Sequence, residues 1–296
     1  MNRVPSAMVL PPPPLAAPGT VQGWQAWRQR RICMGPECAE RDGLRVWYRW
    51  PGRMQLQQGW CCGPDCLQAA MELQARRLLR HSAPRPPRPH RIPLGLLLLS
   101  HGLITPPQLR AALAAQQQQG GRVGEWLVRQ GAVSEDAIAS GVALQWARPT
   151  FPLAETRAWQ QCRGWVPLPL LEELGMLPLY FAPTRRRLYV GFTQVVDATA
   201  VAALQQMLEC KPVPCIVADS AWMAVMEEMR AMPSREGLET VNFTDVEGPA
   251  EIAGITRQYA RYAGARQVRV AVAGPFLWVR IRGQRVMHLS FRPKTR

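Results

Sequence analysis

Two 24-residue segments of this chain align with each other without a gap, and that repeat limits the fold more than any other feature. The first is Pro93-Leu-Gly-Leu-Leu-Leu-Leu-Ser-His-Gly102-Leu-Ile-Thr-Pro-Pro-Gln-Leu109-Arg-Ala-Ala-Leu113-Ala-Ala-Gln116. The second is Arg122-Val-Gly-Glu-Trp-Leu-Val-Arg-Gln-Gly131-Ala-Val-Ser-Glu-Asp-Ala-Ile138-Ala-Ser-Gly-Val142-Ala-Leu-Gln145, after a spacer of five residues. Each copy reads as a helical hairpin. A short apolar helix ends at Gly102 or Gly131, suited to the left-handed position just past a helix. An N-cap follows, Thr105 or Ser134. Thr105 has Pro106 at the first helical position and Gln108 two further on, the capping-box pattern. Ser134 has Glu135 and Asp136 in the first turn, matched to the helix dipole. Leu109, Leu113 and Gln116, or Ile138, Val142 and Gln145, then share one helical face. Two such hairpins predict a small four-helix unit over residues 93–153.

This spacing resembles the MshEN-type domain, the cyclic-di-GMP-binding N-terminal domain of type II secretion and type IV pilus assembly ATPases. The family motif reads Arg-Leu-Gly-x-x-Leu-x-x-x-Gly-x-Ile-x-x-x-x-Leu-x-x-x-Leu-x-x-Gln, twice, with a five-residue spacer. The resemblance covers residues 93–145 and implies one cyclic di-GMP held by both motifs. The opening Arg-Leu-Gly and the apolar helix positions would contact guanine and phosphate. Carried over, the second motif offers Arg122, Val123, Gly124, Leu127, Gly131, Ile138, Val142 and Gln145. The first offers Leu94, Gly95, Leu98, Gly102, Leu109, Leu113 and Gln116. The departure is Pro93, where the family has arginine. An arginine there stacks on a base and bonds a phosphate at once; proline does neither. Arg91 stands two residues earlier. Gly95 and Gly124 fit close backbone approach to a ligand, and equally fit tight helix packing.

Around the repeat the pattern predicts an α+β multidomain chain. Residues 1–23 are a Pro- and Ala-rich tail, expected to be disordered. Residues 24–80 form a compact cysteine-rich segment, and 81–92 a basic Pro/Arg linker. Residues 154–232 read as an α/β subdomain: helix Leu168–Leu174, strands Met176–Ala182 and Leu188–Phe192, a helix capped by Asp197, strand Val213–Val217, and a helix capped by Asp219. Residues 233–248 read as a second linker. Residues 249–296 give a helix, Pro249–Ala263, and antiparallel strands near Val268–Val272, Phe276–Arg282 and Val286–Phe291. Both later segments resemble parts of the same secretion-ATPase region, the last being the start of its small pre-motor domain.

Five of the eight cysteines lie between residues 33 and 66. They sit in two matching turns, Cys33-Met-Gly-Pro-Glu-Cys38 and Cys61-Cys62-Gly-Pro-Asp-Cys66. A Gly-Pro turn lets the sulfurs at its ends face one point. Two turns therefore supply the four thiolates of a closed tetrahedral zinc site. Cys33, Cys38, Cys61 and Cys66 are the symmetric choice, with Cys62 as substitute; a core with buried thiols is the alternative. Leu44–Trp50 reads as a strand covering this core. Cys162, Cys210 and Cys215 are scattered and read as small core residues.

The net charge is +15, and Lys211 and Lys294 are the only lysines among 36 basic residues. Such a field favours anionic partners without choosing among them. The run Pro11–Pro14 does not fit a secretory signal. Leu94–Ile104 is about half the length of a membrane span, so the expected location is cytoplasmic, with reduced thiols. No Gly-Lys-Ser/Thr stands anywhere in the chain, so the motor chemistry of a P-loop is excluded. The four histidines are isolated in sequence. The expectation is a non-catalytic regulatory or adaptor protein that senses cyclic di-GMP and docks on a secretion or pilus component. The alternatives are a protein-binding scaffold without the ligand, and a nucleic-acid-binding zinc protein using Arg280, Arg282 and Arg285.

Overall fold

The computed structural model describes residues 33–38, 52–81, 91–233 and 236–294. The expected Pro-rich tail, the strand Leu44–Trp50 and residues 82–90 of the Pro/Arg linker lie outside the described residues. The chain is α+β.

Strands β1 (Met54–Leu56) and β2 (Gly59–Cys61) make a short hairpin, followed by helix α1 (Pro64–His81). The tandem unit comes next: α2 (Leu94–Ser100), α3 (Pro106–Gln119), α4 (Val123–Arg129) and α5 (Glu135–Trp146). The two hairpins end their first helices identically. Gly102 at φ 67° and Gly131 at φ 65° follow the C-caps. Gly102 N–H donates to the Leu99 carbonyl and Leu103 N–H to that of Leu98; Gly131 and Ala132 repeat this with Val128 and Leu127. That is the paired closure of a left-handed glycine cap. Thr105 and Gln108 close the capping box at 2.8 Å, and Ser134 accepts from Ala137 N–H. Leu98, Ile104, Leu109, Ala112 and Leu127 form the core of the unit.

Helix α6 (Leu168–Leu174) leads into β3 (Met176–Ala182), β4 (Arg187–Phe192), α7 (Ala198–Leu208), β5 (Lys211–Ile216) and α8 (Asp219–Ala231). These strands form one sheet in the order β3-β4-β5, with β4 and β5 parallel. Asp197 caps α7, accepting from Thr199 and Ala200 N–H. Asp219 does not cap α8: it is the first helical residue, and no side chain caps that helix.

The chain closes with β6 (Leu238–Val246), α9 (Pro249–Tyr262), β7 (Gln267–Ala273), β8 (Phe276–Arg282) and β9 (Val286–Pro293). The larger sheet runs β2-β1-β7-β8-β9-β6. Two expectations change here. Residues 233–248 are not a linker throughout, because Leu238–Val246 is an edge strand parallel to β9. Its signal was a period of two, with half-buried Val241 and Phe243 alternating with exposed Thr240, Asn242 and Thr244. Nor do residues 52–81 stand apart. Strand β1 pairs in parallel with β7, and Met54, Leu56, Leu67 and Met71 share a core with Ile252, Val270, Leu289 and Phe291. A segment this short cannot bury enough apolar surface by itself, so it completes its core on a distant sheet.

Period two also explains the two faces of that sheet. Val268, Val270, Leu277, Val279 and Ile281 point toward α1 and α9. Ala271, Ala273, Phe276 and Trp278 point the other way, into the core that holds α7 and the smaller sheet. The α/β subdomain is thereby seated on one face of the large sheet.

Candidate functional site

The second hairpin of the tandem unit faces the α/β subdomain across a cleft of about 460 Å³. Parallel strands β4 and β5 end at this cleft, and the loops after them, Thr193–Val195 and Val217–Asp219, form its floor. Crevices at the carboxyl ends of parallel strands are recurrent ligand sites. Of the residues expected from the tandem motif, Arg122, Val123, Gly124, Ile138, Val142 and Gln145 line the cleft, with Leu94 from the first copy. Arg91 and Trp146 complete it. A second cavity of about 750 Å³ shares Arg122, Gly124, Glu135, Ile138 and Asp219 and continues the groove toward Glu172 and Glu173.

The other expected residues lie elsewhere. Leu98, Leu109 and Leu127 are buried in the core of the four-helix unit. A Cβ on Gly95 would sit 2.6 Å from Leu109 Cδ1, so this glycine serves packing. Gly102 and Gly131 serve chain reversal at positive φ. Leu113 is exposed, and Gln116 donates to the Gly121 carbonyl at 3.0 Å. Gly124 does both jobs: it lines the cleft, and a Cβ there would meet Ile138 Cγ2 at 3.2 Å.

Arg91, two residues before Pro93, lines the cleft. Its guanidinium lies 3.2 Å from the centre of the Trp146 ring and donates to the Gln145 carbonyl at 3.3 Å. Gln145 Nε2 in turn donates to the Ile92 carbonyl at 2.7 Å. The last residues of the second motif thus hold the segment before the first motif. Burial, then the nearby Arg148, makes the Arg91 guanidinium less basic than usual. A half-buried guanidinium stacked on one indole and bonded to a carbonyl is the kind of group that bonds an anion.

Arg122 on the opposite side is engaged. It pairs with Glu125 in its own helix and with Asp219 Oδ2 at 3.5 Å across the cleft. Gln194 also donates to Asp219, at 3.2 Å, and Glu135 accepts from Ser220 N–H at 2.6 Å. Asp219 therefore turns into the cleft instead of capping α8. Burial raises its carboxyl above the ordinary range, Arg122 pulls it down, and Glu135 and Glu125 push it up. Sequence reasoning missed Trp146, Asp219 and the two floor loops as site residues. Only the pairing of β4 with β5 brings those loops to the repeat.

A second candidate centre lies at the junction of β2 and α1. The thiols of Cys33, Cys38, Cys62 and Cys66 all fall within 4.8 Å of one another. Three of the four expected ligands are there. Cys61 is not: it ends β2 and points into the core beside Leu67 and Met71, where burial raises its thiol. Cys61 is the last residue of β2 and belongs to the core, while Cys62, just past the strand, joins the cluster. Cys162, Cys210 and Cys215 are buried in the core around the smaller sheet.

Of the arginines considered for a nucleic-acid face, Arg282 is exposed while Arg280 and Arg285 are engaged within the chain. Arg280 is half-buried and donates to the Met207 carbonyl at 3.3 Å, while Arg269 donates to the Gln206 carbonyl at 2.7 Å. Both satisfy carbonyls at the C-terminus of α7, where cations are favoured. Arg285 is paired with Glu239 at 2.7 Å. His288 is buried, accepts from Trp278 Nε1 at 3.0 Å through Nδ1, and is driven down to about 3, chiefly by burial.

No family model and no curated protein matches the chain. Solved structures do. The chain is similar to MshE and to XpsE. The MshE structure, described as having cdg, is 24% identical over 47% of this chain and 99% of its own, with a TM-score of 0.40. The N-terminal domain of XpsE is 18% identical over 45% of this chain and 91% of its own, with a TM-score of 0.33. A second crystal form of that domain is 19% identical over 48% and 98%, with a TM-score of 0.28. Among the described residues no helix is long and apolar enough to cross a membrane.

Proposed function

We propose that this chain is a non-catalytic, cytoplasmic regulatory adaptor whose tandem unit binds cyclic di-GMP and which docks on a secretion or pilus component. The observation that carries this reading is the convergence of the second motif with Arg91 on one cleft. Arg122, Val123, Gly124, Ile138, Val142 and Gln145 come from the repeat, and Arg91 restores a second guanidinium where Pro93 removed one. Two arginines, an indole and an apolar helical wall of Val123, Ile138 and Val142 suit a ligand with two purine faces and two phosphates. The cleft volume, about 460 Å³, lies in the range of small-molecule sites. The same reading gives the four-thiol cluster a structural zinc.

Calorimetric titration of the full chain with cyclic di-GMP tests the nucleotide reading. The expected outcome is saturable binding in the micromolar range or weaker. A charge-assisted arginine contact is worth roughly 1.5–3 kcal/mol, about one to two decades of affinity. No heat at high ligand, in the wild type and in Pro93→Arg alike, ends the effector reading. One observation favours a second reading in that event. Glu125 and Asp219 line the cleft and already satisfy Arg122, with Glu135 beside them. The unit is then a scaffold that packs against protein only.

A further inference from the structure

We propose that Cys33, Cys38, Cys62 and Cys66 hold one zinc ion as an all-thiolate structural centre, and that this ion fastens the turn at residues 33–38 to the start of α1. The inference rests on the zinc reading of the cluster and adds its ligand set and its task. Four thiolates around one zinc at ~2.3 Å lie ~3.8 Å from one another. The sulfurs here fit that cage: Cys38 and Cys62 are 3.6 Å apart, Cys62 and Cys66 3.4 Å, and all four lie within 4.8 Å. That is the spacing of ligands sharing a single ion; a cluster of several irons would hold its thiolates further apart.

The backbone around the thiols is arranged for negative sulfur. Gly35 N–H and Cys62 N–H both point at Cys33 Sγ, each at 3.4 Å. Such N–H groups orient a metal-bound thiolate and offset its charge. Gly35 also has to be glycine. A Cβ there would lie 2.8 Å from Cys66 Sγ and 3.3 Å from Cys38 Cβ, inside the cage.

The task follows from what else holds residues 33–38. Met34 N–H donates to the Trp60 carbonyl at 2.7 Å, a backbone bond that ties this turn to β2. Cys33 and Gly35 are its buried residues, and neither offers apolar bulk. So little burial does not order six residues against their conformational entropy. Two ligands from the turn, Cys33 and Cys38, and two from residues 62–66 close a loop across the chain and supply what packing does not. Cys61 stays out because it belongs to the core of the large sheet.

The test uses the full chain purified without metal supplements. Elemental analysis should find about one zinc per chain. Cobalt exchanged into the site should give the ligand-field spectrum of a tetrahedral tetrathiolate. Cys62→Ser should lose the ion and the spectrum; Cys61→Ala should keep both, at lower thermal stability. Chelation should abolish hydrogen-exchange protection at residues 33–38 and leave residues 123–146 unchanged. Wild-type protein without metal, or with iron, overturns the zinc reading and this inference together. Zinc that survives Cys62→Ser but is lost in Cys61→Ala overturns the ligand set alone. Zinc that leaves without any change in exchange at residues 33–38 overturns the fastening role alone.

Discussion

The two copies of the tandem motif fold alike but are equipped differently. Both end their first helix at a left-handed glycine with the same pair of closing bonds, and both start the second helix at a hydroxyl cap. Leu98 and Leu127, at equivalent positions, are both fully buried. Yet the second copy brings six motif residues to the cleft, and the first brings Leu94 alone. The difference comes from what each copy faces. The second lies against the ends of β4 and β5; the outer face of the first meets solvent through Leu96, Leu103 and Leu113. A repeated sequence therefore specifies a repeated fold, while only the neighbours of each copy decide which becomes a site.

The largest effect should be one that treats the copies as equals. Leu98→Ala and Leu127→Ala should each destabilise the chain by about 2–5 kcal/mol, through lost burial and a cavity. Denaturant melts of both variants measure it; a much smaller loss in one would break the structural equivalence. The next effect should separate the copies. Arg122→Ala should weaken cyclic di-GMP binding by about one to two decades, whereas Gln116→Ala, on the first copy and away from the cleft, should leave it unchanged. Equal losses would return the ligand to a symmetric site. Arg91→Ala should cost less, on the order of 0.5–2 kcal/mol for a cation against an aromatic wall. Pro93→Arg in that background should recover part of the loss, and titration of the double variant decides whether Arg91 is the replacement.

Much of this architecture was legible in the chain. Helix caps, glycine stops and apolar spacing are local properties, so the four-helix unit and, apart from β6, the helices and strands from Leu168 onward could be read directly. Pairings between distant segments could not. Nothing near Met54 announces a parallel partner at Gln267, and the polar stretch Leu238–Val246 becomes a strand because β9 offers an edge. The site was half legible for the same reason. The motif residues carry their own spacing, but Asp219 and Thr193 enter through β4–β5 pairing. Which of the two adjacent cysteines joins the other thiols was not legible, because it depends on where β2 ends: Cys61 closes the strand and turns into the core, and Cys62 follows it.

The smallest effect sharpens the comparison at its electrostatic centre. Arg122 of the second copy already has an anion, Asp219, at 3.5 Å, and a phosphate must compete with it. Glu125 and Glu135 face the same space. Asp219 has its carboxyl raised above 3.8, mainly by burial and against the pull of Arg122. An acid whose folded value is raised is fully at ease below the unfolded value, and its ionisation costs stability as pH rises through the folded value. The ligand adds to this preference, because phosphate beside Arg122 favours the neutral carboxyl. Affinity for cyclic di-GMP should therefore rise as pH falls through the range in which Asp219 takes up its proton, while the phosphates remain ionised. Asp219→Asn should tighten binding a few-fold at neutral pH and flatten the slope. Titrations of both proteins across that range give the answer. An undiminished slope in Asp219→Asn, or weaker binding, would mean that the carboxylate helps to hold the ligand instead of competing with it.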